Sequence, residues 1–146
     1  MSFPMNIKKL NDNARLPTYG SEFAAGADLY ACLDGDVTIA PAETLLIHTG
    51  LAMEIPTGLV GLIYARSGLA SKKGLAPANK VGVIDSDYRG ELLVSLFNTA
   101  SETAVLNEGE RVAQLVVVPC PRHELLECDE LDKTDRGDGR FGSTGK

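Results

Sequence analysis

The stretch ELLVSLFN, Glu91 to Asn98, carries two apolar sets. In an extended chain successive side chains alternate between faces, so Leu92, Val94 and Leu96 point one way and Leu93 and Phe97 the other. VAQLVVVP, Val112 to Pro119, behaves likewise. Around these two segments the apolar residues come in short, β-branched runs broken by Gly, Pro, Asn and Asp, which is an all-β signature. Strands are expected at 6–10, 27–33, 36–39, 44–54, 59–65, 81–84, 91–98, 103–105, 112–119 and 124–127. Many short strands at this spacing suggest a sandwich or barrel. One stretch breaks the pattern. In RSGLASKKG, Ser67 is placed to cap a short helix, Lys72 and Lys73 fall in its last turn, and Gly74 stops it. Strands apolar on both faces are unusual in a small antiparallel sandwich, where one face normally meets water. A partner subunit covering the second face resolves this, so a homo-oligomer is expected.

Length and composition set the class. The chain has 146 residues, 44% apolar and 23% charged. That suits one globular domain able to build a core without staples. No apolar run is long enough for a membrane span, and the start, MSFPMNIKKLNDN, lacks the apolar stretch of a signal peptide. Cys32, Cys120 and Cys128 form no C-x-x-C pair and leave one thiol over in any disulfide scheme. They read as reduced thiols, and a cytoplasmic setting is expected. The net charge of −6 argues against a broad nucleic-acid-binding face. His48 and His123 have no neighbouring cysteine or histidine, so they read as ordinary histidines, not zinc ligands.

Five segments hold the residues that could do chemistry. AGADLYA sets Asp28 among apolar neighbours on an expected strand, either as a buried structural hydrogen-bonder or as a site residue. YARSGLA sets Arg66, Ser67 and Gly68 where a strand gives way to a helix, an anion site or a plain cap. NKVGVIDSDYRGE reads as a hairpin with Asp85 at the entry of its turn and Tyr88 at the tip. Those two are a base with a ring platform, or an ordinary Asx-type turn. In GERVAQLVV, Gln114 is a lone polar side chain in an apolar strand, satisfied internally or aimed into a site. The fifth is the tail, RGDGRFGSTGK. Its G-x-G-x-x-G lacks the following helix of a dinucleotide loop, and Ser143 stands where a Walker loop has Lys. Two arginines, a phenylalanine, hydroxyls and glycines suit a lid over a phosphorylated ring compound.

Taken together and in this order, the five segments resemble the five sequence motifs of the homotrimeric deoxyuridine triphosphate nucleotidohydrolases (dUTPases), from Ala25 to Gly145. The resemblance implies a jelly-roll β domain over residues 1–135 and a mobile glycine-rich arm over 136–146. It implies a trimer with three sites at subunit interfaces. It also implies Mg²⁺-assisted hydrolysis of dUTP to dUMP and pyrophosphate, which limits uracil in DNA and supplies dUMP for dTMP. By this likeness Asp85 activates the attacking water, while Asn79, Val83 and Ile84, with Asp85, form the uracil-reading edge. Tyr88 lies under the deoxyribose and excludes a 2′-hydroxyl, and Leu93, across the hairpin from Ile84, closes that pocket. Arg66, Ser67 and Gly68 bind phosphates from a neighbouring subunit. Gln114 and Asp28 stand near the phosphates, Asp28 reaching the metal through water. Arg136 meets the γ-phosphate, Phe141 covers the uracil, and Gly142, Ser143 and Thr144 wrap the terminal phosphates. Two rival readings share this scaffold, a dCTP deaminase-type relative and a non-catalytic regulatory trimer. The chain departs from the family pattern at Arg140, where a glycine usually precedes the phenylalanine.

Overall fold

The computed structural model describes residues 3–141. Among them twelve strands and one helix follow in order: β1 (Ile7–Lys9), β2 (Thr18–Tyr19), β3 (Ala27–Tyr30), β4 (Val37–Ile39), β5 (Thr44–His48), β6 (Leu51–Met53), β7 (Leu59–Tyr64), α1 (Ser67–Lys73), β8 (Leu75–Pro77), β9 (Gly82–Ile84), β10 (Leu93–Asn98), β11 (Ala104–Leu106) and β12 (Arg111–Pro119). They form four antiparallel sheets, ordered β2-β3-β12-β7-β9, β5-β10-β8, β1-β6 and β4-β11. This is the expected all-β jelly-roll-like class with a single short helix.

The stretch ELLVSLFN behaves as its pattern demands. Leu92, Val94 and Leu96 are buried in the core with Leu29, Ile39, Ile47, Leu75, Leu106 and Val112. Leu93 and Phe97, on the opposite face, are only half-buried. Truncating a core residue such as Leu96 to Ala would cost about 2–5 kcal/mol. Two buried polar side chains are fully engaged. Asn98 donates to the Ile39 and Glu102 carbonyls at 2.8 Å and accepts from Ala100 N–H. Thr49 donates to the Leu92 carbonyl at 2.7 Å.

Several expected boundaries move. The single strand expected at 44–54 is split into β5 and β6 by Thr49 and Gly50. Gly50 has φ 67° and lies so close to Ala14 that a Cβ would overlap it. β2 and β8 were not expected at all. The strand expected at 124–127 does not form: residues 120–141 contain no strand or helix, and Leu125 and Leu126 stand exposed. The hairpin expected at 79–91 is also not a hairpin. β9 pairs with β7, whereas β10 pairs with β5 and β8, so this turn joins two sheets.

Helix α1 begins one residue away from its expected cap. Arg66 is the N-cap, in extended conformation, and Ser67 is already helical, so its hydroxyl caps nothing. The end is as expected. Gly74 is left-handed at φ 67°, its N–H bonds the Ala70 carbonyl at 3.1 Å, and a Cβ there would strike Ala100. Lys72 and Lys73 occupy the last turn, where positive charge complements the helix carbonyl end.

The thiols differ in reactivity. Burial, then the nearby Glu108, Glu91 and Asp34 carboxylates, push the Cys32 thiol above its ordinary pKa, while Cys120 and Cys128 are exposed. At mildly alkaline pH a thiol reagent should consume two cysteines quickly and Cys32 only on unfolding. Three fast thiols would contradict the packing at the end of β3.

Candidate active site

Four of the five segments place a strand in the five-stranded sheet, and three of them meet around Asp28. Asp28 on β3 stands opposite Gln114 on β12, and Gln114 opposite Tyr64 on β7. Residues directly opposed in a sheet share a face. Gln114 Nε2 donates to the Ala65 carbonyl at 2.9 Å. Its amide presses on Gly26 so closely that any Cβ there would overlap it. Gln114 is thus satisfied internally, and its bond fixes the exit of β7 where Arg66 emerges.

Asp28 is buried, 6% exposed, and both its oxygens face guanidinium groups. Arg66 Nε lies 3.1 Å from one oxygen and Arg111 Nη1 3.3 Å from the other. The arginines are more open than the carboxylate, and each keeps further N–H donors. They line a cleft of about 270 Å³ with Gly68, Lys72, Lys73 and Glu110. Lys73 is held by Glu110 at 2.7 Å, whereas Lys72 is exposed. Cations outnumber carboxylates here, in a chain of net charge −6. Such a local excess draws anions against the overall charge.

Asp28→Asn tests this arrangement. It removes the charge that two guanidinium groups share. Because both arginines are partly solvated, the expected destabilisation is about 1–3 kcal/mol, less than for a fully buried pair. A melting temperature equal to wild type would show that Asp28 does not organise them.

The third segment builds a separate cleft. β9 lies against β7, Leu62 opposite Val83 and Gly61 opposite Ile84. The chain then turns, Tyr88 N–H reaching the Asp85 carbonyl at 3.2 Å. Val83, Ile84, Asp85, Tyr88, Glu91 and Leu93 line a cleft of about 170 Å³. Leu93 and Ile84 line this cleft from strands of two different sheets. Asp85 is exposed at the rim, and Tyr88 is 42% exposed. Asn79 sits in the exposed turn leading into β9, its side-chain amide near Gly82.

The two clefts share no lining residue. Complete small-molecule pockets usually measure about 300–1,000 Å³, and each of these falls short. Arg136 and Phe141 line neither. Arg136 Nε meets only the Gly139 carbonyl at 3.3 Å, and Phe141 is fully exposed. Gly142, Ser143 and Thr144 lie outside the described residues. Arg140, where the family pattern has glycine, does not take a left-handed backbone conformation here. Among the described residues only Ala42 and Lys80 are non-glycines with positive φ.

Sequence reasoning missed several neighbours of these clefts, among them Arg111, Lys72, Lys73, Glu110, Gly90 and Glu91. Arg111 becomes visible only through strand register, which carries it to Asp28. Gly90 and Glu91 follow Tyr88 closely, but nothing in the sequence tells that the ring folds back over them. Among the described residues no group of three or more His, Cys, Asp or Glu could hold a metal ion. His48 pairs with Glu91 at 2.9 Å, and His123 is exposed.

One small β scaffold thus carries a cation-rich cleft and, apart from it, a smaller cleft with a carboxylate at its rim. The dUTPase family profile matches residues 12–145, and the chain belongs to that family. It is 54% identical over 132 residues to the deoxyuridine 5′-triphosphate nucleotidohydrolase of Desulfitobacterium hafniense (strain DSM 10664 / DCB-2), covering 90% of this chain and 87% of that protein. It is 48% identical over 139 residues to the enzyme of the same name from Hydrogenobaculum sp. (strain Y04AAS1), covering 95% and 96%. Among solved structures, the Staphylococcus bacteriophage 80alpha dUTPase with dUPNHPP superposes with TM-score 0.90 at 30% identity, covering 99% of this chain and 100% of that one. A point mutant of the dUTPase from S. aureus phage phi11, described for its coordination of a structural Mg(II) ion, gives TM-score 0.79 at 31% identity, covering 88% and 98%.

Proposed function

We infer that the chain hydrolyses dUTP to dUMP and pyrophosphate, with water attacking the α-phosphorus. The observation that carries this is the exposed Asp85 carboxylate at the rim of a small cleft bounded by Ile84, Tyr88 and Leu93. Hydrolysis of an anionic triphosphate needs donors on the phosphates and a base for the water. Asp85 is the base in this reading. Asn79 and the backbone of Val83 to Asp85 read the uracil edge, because backbone N–H and C=O groups can imitate base pairing. Tyr88 lies under the deoxyribose.

The phosphates belong to the cationic cleft, to Arg66, Ser67 and Gly68. A Cβ at Gly68 would meet nothing within 4 Å, so packing within the chain does not require glycine there. Close approach of a ligand does. Asp28 and Gln114 hold this segment in place. The tail supplies Arg136 for the γ-phosphate, Phe141 for the uracil face, and Gly142, Ser143 and Thr144 for the terminal phosphates. Residues 1–135 then form the domain and 136–146 a closing arm.

Two separate clefts in one chain are best reconciled by a homotrimer, in which the ring cleft of one subunit meets the anion cleft of its neighbour. The uncovered apolar side chains support this. Leu46 is 50% exposed beside half-buried Leu93 and Phe97, and Leu125, Leu126 and Leu131 stand exposed on the tail.

Magnesium fits this site only as a companion of the substrate. Both oxygens of Asp28 are engaged by arginines, so it would hold a substrate-bound ion only through water. Bound there with the substrate, Mg²⁺ would supply charge neutralisation on the phosphates. The free thiols fit the cytoplasm, and no helix among the described residues is long and apolar enough to cross a membrane.

The test is turnover of dUTP, dTTP, dCTP and UTP with Mg²⁺. Pyrophosphate should appear from dUTP alone at high rate. Ammonia from dCTP would make the chain a deaminase, and no turnover of any of the four would make it a binding trimer.

A further inference from the structure

We propose that Gly90 and Glu91 are positioning residues that fix the Tyr88 ring and so set the discrimination between deoxyribose and ribose. The inference rests on the reading of Tyr88 as the ring under the sugar. A steric gate that separates two substrates by one hydroxyl must be held to within about 0.5 Å. Yet Tyr88 lies on the connection between β9 and β10, outside any strand. Something else must fix it.

Three contacts do so. The Tyr88 hydroxyl donates to the Glu91 carbonyl at 2.9 Å. The ring rests on Gly90, where an added Cβ would stand 2.6 Å from Cζ and 3.0 Å from Cε2 of the tyrosine. Gly90 is not among the glycines with positive φ, so the backbone does not demand glycine there and the ring does. Arg89 closes the turn from outside, donating to the Ser86 and Tyr88 carbonyls at 2.8 and 2.9 Å.

The Glu91 carbonyl is in turn clamped. One oxygen of its carboxylate accepts the Gly50 N–H at 2.8 Å, and the other lies 2.9 Å from His48 Nδ1. The next residue bonds the same bend twice: Leu92 N–H to the Leu51 carbonyl and Thr49 Oγ1 to the Leu92 carbonyl, both at 2.7 Å. Thr49 and Leu92 are fully buried. The β5–β6 bend is thus the rigid base, Glu91 the strut, and Tyr88 the part it carries. The side chain of Glu91 acts through its own carbonyl, and no contact with substrate is required of it.

The experiment compares kcat/KM for dUTP and for UTP, with Mg²⁺, in six proteins: wild type, Gly90→Ala, Glu91→Ala, Glu91→Gln, Tyr88→Ala and the Gly90→Ala/Tyr88→Ala pair. Gly90→Ala displaces the ring and Glu91→Ala loosens its acceptor, so each should lower the dUTP-to-UTP ratio by roughly tenfold, about 1.4 kcal/mol. Glu91→Gln should restore the ratio. Its amide oxygen still accepts the Gly50 N–H, and its NH₂ can donate to His48 Nδ1 as the acceptor tautomer. In the Tyr88→Ala background Gly90→Ala should change the ratio no further, and this pair also folds without the clash if Gly90→Ala alone does not. A double variant that also fails to fold overturns the proposal, since the ring would not be what the added methyl strikes. If Gly90→Ala and Glu91→Ala slow both substrates equally while Tyr88→Ala narrows the ratio, the positioning role is wrong and the gate stands. If Tyr88→Ala leaves the ratio unchanged, the gate falls and the positioning role with it.

Discussion

Asp85→Asn should bind dUTP about as tightly as wild type and turn it over roughly 10²–10⁴-fold more slowly, the span typical of a lost general base. The geometry makes this substitution clean. The Asp85 carbonyl, not its carboxylate, accepts the Tyr88 N–H that closes the turn, so asparagine leaves the turn intact. The exposed carboxylate contributes to no core. A loss confined to kcat would mean that the interaction exists only in the transition state. Equilibrium binding of a non-hydrolysable analogue and single-turnover kinetics separate the two quantities. Asp87, two residues on, is exposed and lines neither cleft, so Asp87→Asn is the control, expected within about twofold of wild type. Near-normal kcat in Asp85→Asn would remove this residue from the mechanism.

Periodicity revealed what depends on local pattern and missed what depends on partners. β10 and β12 were legible because their apolar residues alternate, and their second apolar face is the one the single chain leaves half-buried. The break at Thr49 and Gly50 was not legible. Thr49 fits a strand, and the neighbours that leave no room for a Cβ at Gly50, Ala14 and Cys32, are distant in sequence. The segment at 124–127 has strand-like composition but pairs with no strand of the chain, so composition alone misled. The turn at Asp85 to Tyr88 was read correctly as a turn and wrongly as a hairpin. Turn chemistry states that the chain reverses, not which sheet each arm joins. The same limit shaped the site. Asp28 and Gln114 stood out as polar residues in apolar strands. Arg111, which shares the Asp28 carboxylate, could be found only once β12 was registered against β3.

A chain ending before Arg136 should fold and melt close to wild type, yet lose about 10³-fold or more in kcat/KM. The stability half follows from the contacts. Beyond Cys120, whose N–H bonds the Gly58 carbonyl at 2.8 Å, the described residues form only local turns, such as Gly137 N–H to the Thr134 carbonyl. Exposed termini of this kind contribute little to global stability. The activity half follows from what is removed. Phe141, fully exposed in the single chain, is a large apolar surface with nothing to cover. Stacking it on a base is worth about 1–3 kcal/mol. Each charge-assisted contact from Arg136 to phosphate adds about 1.5–3 kcal/mol. These terms are not additive, but two of them near the middle of their ranges come to about 4 kcal/mol, or three orders of magnitude. If the arm closes on another subunit's site, truncated chains mixed with Asp85→Asn chains should regain part of the activity. A mixed trimer then contains at least one site with both an intact Asp85 and an intact arm, which neither parent has. Complementation without subunit exchange is impossible, so incubating the two after chemical cross-linking of each trimer is the matching control and should restore nothing. Full activity in the truncated chain would reduce the glycine-rich end to an appendage. The anion cleft around Arg66 and Arg111 would then have to hold the triphosphate alone.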